Sequence, residues 1–219
     1  MGQSRRIYRA AIITPLARQL DKHSAHVLTR NSWGDAIFDV LDDVLAAAEC
    51  ALAMQMTMEA VDRAGLGFPI DLNLRIALHF GLIRAVFDPI QGQDTYMGVQ
   101  IVQAARMEPV TEPGMTYVTE AFAAALASLP GTPFACDYLG EVDTAKGFGR
   151  LSLYALRAGR LNFTVTSGVG FGILAVLPDG RQGTAWVNLI DSMRSAICPV
   201  SGRFRTGPFS GAFISCTLL

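Results

Sequence analysis

The sequence lacks the charge pattern of a protein that binds nucleic acid. Its 18 Lys and Arg residues are balanced by 19 Asp and Glu residues, so the formal net charge is −1, and no basic block stands out. Proteins that bind phosphate backbones concentrate Lys and Arg on one surface, because they must neutralise many phosphates. Nucleic acid is therefore not expected as a partner.

Long apolar runs are also lacking. Arg5, Arg6 and Arg9 make the N-terminus basic, but no apolar segment typical of a signal peptide follows them. No stretch reaches the ~20 apolar residues that span a bilayer. The sequence therefore predicts a protein that makes no contact with a membrane and lies in the cytoplasm.

Closely spaced cysteines are missing as well. The four cysteines are scattered, and none forms a Cys-x-x-Cys pair: Cys50, Cys136, Cys198 and Cys216. This spacing indicates neither a zinc site nor a disulfide framework, so reduced thiols are expected. His79 lies in an apolar run and is interpreted as a hydrogen-bonded core histidine rather than a metal ligand.

What the sequence does contain is enough apolar material for a core. The chain has 219 residues, 51% of them hydrophobic, which fits one domain of ordinary size with a short appended segment. Neither Lys nor Glu occurs after Lys146. We therefore divide the chain into a domain at 1–157 and a Gly-rich extension of unknown role at 158–219, with strands within 161–177 and a helix at 186–196.

Hydrophobic periodicity predicts the elements of the first half. Apolar residues at helical spacing predict a helix over 7–23 that Pro15 kinks. Residues 27–41 alternate around Trp33-Gly34-Asp35 and predict a hairpin with an acidic tip. A long helix over 42–64 and a buried strand over 72–79 follow.

The second half continues the same pattern. Residues 87–96 are rich in turn formers, 97–107 return to helical spacing, and 117–126 predict a strand end followed by a short helix. Residues 136–139 and 151–156 predict two further strands. This order is typical of an α+β fold, with helices on one face of a mostly antiparallel sheet.

Four ordered blocks resemble the class III adenylyl and guanylyl cyclases. They are RNSWGDAIFDVLDD at 30–43, LRIALHFG at 74–81, the segment from DPIQGQ to AFAAAL at 88–126, and CDYLGEVDTAKGFGRLSLYAL at 136–156. The match is to a bacterial catalytic domain that is truncated at its N-terminus. The resemblance implies a ferredoxin-like cyclase fold whose first strand is missing.

The resemblance also implies an activity. The family cyclises a nucleoside triphosphate by attack of its 3′-hydroxyl on the α-phosphate, and pyrophosphate leaves. Two Mg²⁺ or Mn²⁺ ions suit this displacement, and Asp35 matches one of the two aspartates that hold them. No Phe-x-Asp segment that would carry the other aspartate precedes the opening helix, so the two-metal site is expected to be incomplete.

The remaining site residues follow from the same resemblance. Arg106 matches the arginine that stabilises the transition state, and Lys146 matches the lysine that binds the terminal phosphates. Asn31 and Thr95 stand where the family reads the purine, and a cAMP product is favoured over cGMP. Val102 replaces a family asparagine, a change that removes a hydrogen-bond donor.

In the family these groups come from two protomers, with the metal site on one and the arginine, lysine and base readers on the other. The expected partners are therefore ATP or GTP, together with a second subunit in a twofold homodimer or in a heterodimer with a complete cyclase subunit. The alternative is a non-catalytic pseudo-cyclase module that serves dimerisation or regulation in signal transduction.

Each residue also has a plainer interpretation. Asp35 is compatible with an ordinary turn aspartate, Arg106 with an ion pair to Glu108 or Glu112, and Lys146 with a solvated loop lysine. A fragment that folds poorly is a third possibility for the chain, because a missing central strand exposes sheet edges. A nucleic-acid-binding ferredoxin-like domain is the least favoured.

Overall fold

A computed structural model gives the fold of the chain. It describes residues 2–90, 92–144, 147, 149–159, 163–164, 173–176, 182–185 and 211–218. The predicted helix at 186–196 lies outside the described residues.

The helices occupy three places along the chain. A helical segment at the N-terminus consists of α1 (Gly2–Tyr8), a π-helical turn (Arg9–Ile13) and α2 (Thr14–Lys22). The long helix α3 (Val44–Glu59) follows, and α4 (Val99–Met107) and α5 (Glu120–Ala127) come later. A 3₁₀ turn (Glu108–Val110) extends α4.

Twelve strands are described. They are β1 (Val27–Trp33), β2 (Ala36–Leu41), β3 (Leu74–Gly81), β4 (Arg84–Asp88), β5 (Gln93–Met97), β6 (Thr116–Thr119), β7 (Phe134–Asp143), β8 (Arg150–Ala158), β9 (Phe163–Thr164), β10 (Ile173–Val176), β11 (Gln182–Ala185) and β12 (Gly211–Leu218).

Seven of these strands form the main sheet, in the order β1-β2-β12-β3-β6-β8-β7. Every neighbouring pair is antiparallel except β3 and β6, which run parallel. A separate hairpin pairs β4 with β5, and β9, β10 and β11 form a small sheet of their own. The α+β fold class predicted from the sequence is confirmed.

Helices cover the main sheet on both faces, so the prediction of helices on one face only was wrong, because α4 packs on the face opposite to α3 and α5. The principal core lies on one face, where α3 and α5 pack on the sheet and α2 packs on α3. On the other face α4 buries Ala104 against Val40, and Met107 against Ala77 and Tyr117. Strand residues alternate between the two faces, so neighbouring positions such as Val40 and Leu41 belong to different clusters.

Pro15 explains the irregular N-terminal helix. Proline has no backbone N–H, and its ring crowds the carbonyl four residues earlier, so the preceding turn must widen. The chain meets this demand with a π-helical turn, in which the Thr14 N–H bonds the Arg9 carbonyl five residues back. The helix therefore continues past Pro15 through a wider turn, and the predicted kink stays a prediction.

Most other elements lie where the pattern predicted them, with three differences. The long helix ends at Glu59, five residues before the predicted end at residue 64. The turn-rich stretch 87–96 belongs to the β4–β5 hairpin. Most residues of this hairpin are exposed or half-buried, so its sequence lacks the alternation of apolar and polar residues that predicts a strand. Strand β7 begins earlier and ends later than predicted.

Strand β12 takes the central position of the main sheet. Residues 212–217 pair with 36–41 of β2, and residues 211–218 pair with 74–81 of β3, both in antiparallel register. The segment therefore completes the same sheet as the first 158 residues. The division of the chain at residue 157 into a domain and an extension stays a prediction.

Asp39 is a carboxyl group buried without a partner. It is fully buried on the β2 face that also carries Ile37 and Leu41, and neither of its carboxylate oxygens has a hydrogen-bond partner among the residues that the structure describes. Arg30 stands opposite it in β1, but its guanidinium bonds Asp21 at 2.6 Å. Burial raises the pKa of Asp39 to about 8, and Arg30 opposes this only partly.

We predict that Asp39 makes the stability of this protein depend on pH. The folded state retains the Asp39 proton up to about pH 8, whereas the unfolded chain releases it near pH 4. The free energy of unfolding should therefore fall between these values, by on the order of a few kcal/mol. Asp39→Asn should remove this part of the slope in urea unfolding across that range.

The control for this measurement is Asp71→Asn. Asp71 is an exposed carboxyl, so its replacement should leave the slope as in the wild type. An identical pH slope in the wild type and in Asp39→Asn would contradict the prediction.

Candidate functional site

The acidic hairpin tip is a two-residue turn. Trp33 pairs with Ala36 across the β1–β2 hairpin, which leaves Gly34 and Asp35 to turn the chain. Gly34 has a φ of +68°, a left-handed conformation that glycine adopts without steric cost. Asp35 is consequently held at the tip with its side chain exposed to solvent.

The neighbouring strand supplies no second carboxylate to this tip. Thr217 of β12 pairs with Ala36, so the C-terminal end of β12 reaches the Asp35 turn. Residues 211–218 contain neither Asp nor Glu. Within the described part of the chain, no three His, Cys, Asp or Glu side chains form a group that could hold a metal ion.

A two-metal site therefore does not fit these residues. Mg²⁺ prefers octahedral oxygen coordination and gives up its water reluctantly, so a lone exposed carboxylate holds it weakly. The described residues offer Asp35 alone at this position, and the incomplete two-metal site expected from the sequence stays a prediction.

Arg106 lies in the last turn of α4. Its side chain is half-buried, and within the described residues it forms no ion pair. Glu112, one of the alternative partners considered for it, acts instead on Tyr117 through its charge. Burial first, and then the charge of Glu112, raise the pKa of that tyrosine. Among the described residues, no carboxylate forms an ion pair with this guanidinium.

A buried hydrogen-bond relay fixes the start of α4. Nε2 of His79 in β3 lies 2.6 Å from Oε1 of Gln100, and Nδ1 lies 2.9 Å from Oγ1 of Thr119. The amide oxygen of Gln100 can only accept, so Nε2 carries the proton and Nδ1 accepts from the Thr119 hydroxyl. The expected core histidine is confirmed, and it links α4 to two strands.

The electrostatics and packing of the relay agree with this assignment. Burial lowers the pKa of His79, although its hydrogen bond to Gln100 acts in the opposite direction. Gln100 also lies directly over Gly81, where an added Cβ would come within 2.7 Å of the Gln100 Cδ. Glycine at this position lets helix and strand approach closely enough for the relay to form.

The predicted base-reading residues lie on two different sheets. Asn31 is exposed in β1, and its Oδ1 accepts a hydrogen bond from the Ser32 N–H at 2.8 Å. Thr95 is half-buried in β5, where it pairs with Val86. Lys146 lies outside the described residues.

The structure does not join the candidate residues by direct contact. Among the described residues, no hydrogen bond or ion pair links any two of Asn31, Asp35, Thr95 and Arg106. Their roles stay predictions. The sequence did not predict the hydrogen bond between His79 and Gln100, because the two residues lie 21 positions apart.

Comparison with known proteins identifies the fold. The chain is similar to the crystal structure of the guanylyl cyclase Cya2, at 17% identity and a TM-score of 0.57, over 75% of this chain and 85% of that one. It is also similar to the adenylyl cyclase CyaB from P. aeruginosa, at 16% identity and a TM-score of 0.53, over 69% and 84% of the two chains.

A third similar structure is the guanylate cyclase domain of RhGC from Catenaria anguillulae in complex with GTP. It shares 20% identity with a TM-score of 0.53, over 69% of this chain and 84% of that one. No family model and no curated protein matches the chain. At these identities the likeness concerns the fold, and it confirms that the chain has the fold of a class III nucleotide cyclase catalytic domain.

The described residues include no helix that is both long and apolar enough to cross a membrane.

The His79–Gln100 hydrogen bond should stabilise the packing of α4. We expect Gln100→Leu to lower the free energy of unfolding by about 1–3 kcal/mol, because it leaves the buried Nε2–H without an acceptor. It should also shift the NMR signal of the His79 imidazole nitrogens. The matched control is Gln103→Leu, which changes a half-buried glutamine on the same helix. Equal destabilisation by both variants, with no change at His79, would contradict the assigned relay.

Proposed function

We propose that this chain is a nucleotide cyclase-like subunit that binds a nucleoside triphosphate at the interface of a twofold dimer. It contributes Arg106, Lys146 and the base-reading residues Asn31 and Thr95. The observation that carries the proposal is Arg106, a guanidinium without an ion-pair partner among the described residues, on a helix that a buried relay holds against the sheet.

The chemistry of the guanidinium supports this role. An arginine offers a planar fork of donors that contacts two phosphoryl oxygens at once, and it keeps its charge at any physiological pH. Charge develops on those oxygens as the 3′-hydroxyl attacks and pyrophosphate leaves. A fixed, positively charged fork lowers the energy of that transition state more than that of the bound substrate.

The carboxylates for the divalent ions must then come from the partner. Asp35 has no acidic neighbour on β12, so this chain is suited to the half of the composite site that lacks the metals. A heterodimer with a complete cyclase subunit therefore fits the residues better than a homodimer. Mg²⁺ or Mn²⁺ would be held by that subunit.

Exposed apolar side chains near α4 favour a partner on this surface. Val99 and Val102 of α4, Met97 just before it, and Leu82 after β3 are 67%, 41%, 59% and 49% exposed. Apolar groups gathered on a surface are typical of interaction sites. Val102 and Arg106 are four residues apart and share one side of the helix, so a protein on this surface would also approach the guanidinium.

The base-reading residues can bind adenine. The Asn31 amide group offers donors to adenine N1, and the Thr95 hydroxyl can accept from the exocyclic amine. Guanine O6 would accept the same amide donors, so these two side chains do not choose between the purines. We propose ATP as substrate and cAMP as product, although the RhGC domain was solved with GTP.

The decisive experiment is complementation in a mixed dimer. A complete cyclase subunit whose own transition-state arginine is replaced by alanine is inactive by itself but keeps its metal carboxylates. Mixed with this chain, Mn²⁺ and ATP, it should form cAMP. Arg106→Ala in this chain should reduce the rate by about 10²-fold or more, as expected for loss of a group that stabilises the transition state.

Arg18→Ala, on α2, is the matched control and should leave the complemented rate unchanged. Failure to form a dimer, or a dimer without product, would contradict the proposal. A faster reaction with GTP than with ATP would contradict the adenine preference alone.

The second candidate is a non-catalytic module that binds the nucleotide without turnover. It is favoured by Val102, which stands in place of a donor on the Arg106 helix, and by the absence of acidic residues from β12. Such a module would serve regulation or dimerisation through the same surface.

Nucleotide binding itself is expected under both candidates. Millimolar ATP should raise the melting temperature, since a ligand present at 100 times its Kd stabilises the folded state by about 2.7 kcal/mol. Arg106→Ala should diminish the shift, and Arg18→Ala should preserve it. A shift without cAMP in the mixed dimer would select the non-catalytic candidate, and the absence of any shift would contradict both.

A further inference from the structure

A groove runs along the outer surface of the helical layer, between the N-terminal helical segment and α3. It has a volume of about 580 Å³, and small or apolar residues form most of its two walls. They are Ala11, Pro15 and Gln19 on one wall and Ala53, Met56 and Ala60 on the other. Met56 is 69% exposed, so a large apolar side chain of α3 faces solvent here.

The two walls of the groove run antiparallel and are tied together. Nε2 of Gln19 donates to Oγ1 of Thr57 at 2.8 Å, and the rings of Tyr8 and Phe68 meet with their centroids 6.3 Å apart. Moving back along the first wall from Gln19 to Tyr8 therefore means moving forward along the second from Thr57 to Phe68. The hydrogen bond and the ring contact fix the spacing of the walls, so the groove is preformed.

Opposite charges stand at the two ends of the groove. Lys22 lines one end, one turn beyond Gln19, and its Nζ donates to Oε1 of Gln19 at 2.8 Å. Asp62 lines the other end, just beyond α3, and its Oδ1 accepts from the Gly65 N–H at 2.9 Å. Both side chains are exposed, and neither belongs to an ion pair among the described residues. The helical rise places the two ends roughly 12 Å apart.

The same separation of charge extends along both walls. The N-terminal helical segment contains several Arg and Lys residues and a single acidic residue, Asp21, which already bonds Arg30 at 2.6 Å. Helix α3 contains Glu49 and Glu59 and no basic residue. A partner of one charge sign would therefore meet like charge at one end of the groove. A surface that carries both signs in the reverse order is complementary along its whole length.

We propose that this groove binds a second copy of the chain, in a twofold dimer that places Lys22 of each copy against Asp62 of the other. A twofold axis through the middle of the groove exchanges its two ends, so both ion pairs form at once and one surface serves both copies. The Met56 side chains are covered in the same step. Helix α4 and Arg106 lie on the opposite face of the main sheet, so the proposal does not rest on the proposed function.

The area of the two faces sets the strength of this dimer. Two helices side by side are about 20 Å wide, and the 16 residues of α3 rise about 24 Å, so each copy contributes roughly 500 Å². Two such faces bury roughly 1,000 Å², the lower limit for a specific interface. Association should therefore be reversible, with a Kd in the micromolar range.

Charge reversal at either end of the groove tests the proposal in the full chain. Lys22→Glu brings two carboxylates together at both symmetric contacts, and Asp62→Lys brings two ammonium groups together there. Each variant should weaken self-association, measured by analytical ultracentrifugation, by about tenfold or more. Wild-type protein that stays monomeric at about 100 μM, well above the expected Kd, would overturn the proposal and leave the groove to a different partner.

Combining the two reversals distinguishes a lost ion pair from a damaged fold. The double variant Lys22→Glu with Asp62→Lys has opposite charges at both contacts again, so its Kd should return to that of the wild type. An equimolar mixture of the two single variants should form a heterodimer, although neither variant dimerises well alone. Absence of rescue in the double variant and in the mixture would overturn the assigned contact.

Two control variants change surfaces outside the groove. Glu141→Lys reverses an exposed charge on β7, and Val102→Glu changes the α4 surface. Both should leave the Kd of self-association unchanged. A dimer that Val102→Glu abolishes and Lys22→Glu leaves intact would overturn the proposal and assign self-association to the α4 surface. That outcome would leave the predicted nucleotide binding intact, so the two proposals can fail separately.

Discussion

Backbone pairing on both edges of β12 is the constraint on which the main sheet depends. The hairpin that carries Asp35 lies on one side of this strand, and the strands that support α4 and Arg106 lie on the other. The backbone pairing between these two parts of the sheet therefore passes through a strand that carries neither candidate group. A side-chain contact between Ala104 of α4 and Val40 of the hairpin adds a second link between them.

Two buried polar side chains on one face of the sheet differ in their hydrogen bonds. The Gln55 amide nitrogen of α3 donates to the carbonyl oxygens of Leu74 and Met115, which ties the helix to the strands beneath it, although its amide oxygen has no partner among the described residues. Neither oxygen of Asp39 has a partner among the described residues. The first group adds specificity to the packing of α3, because its donors have one good arrangement. The second favours the neutral acid, because a charge there would be desolvated without compensation.

Local patterns predicted most of the elements near the candidate site. The alternation around Trp33-Gly34-Asp35 predicted the hairpin, and helical spacing predicted α4. The start of α3 lies close to its predicted position, where the Asp43 side chain caps the helix. These signals are reliable because capping, turn geometry and amphipathicity act between residues close in sequence. The β4–β5 hairpin was missed because its exposed strands lack the alternation of a half-buried sheet.

The arrangement of the site was less accessible from sequence, because it rests on contacts between distant segments. Nothing near His79 indicates that its partners are Gln100 and Thr119. Residues 211–218 form a short apolar run in the sequence, and such a run does not indicate which strands it pairs with. The resemblance to the cyclases implied a missing strand. Only the register of the structure shows that residues 211–218 lie between β2 and β3.

The central position of β12 has a consequence for biosynthesis. Its two neighbours leave the ribosome well over a hundred residues before it does, which corresponds to on the order of ten seconds of translation. Throughout that interval the nascent polypeptide exposes two sheet edges that only a later segment can cover. Such edges invite association with other chains, so a chaperone that shields extended segments should increase the yield of soluble protein, and slow elongation should decrease it.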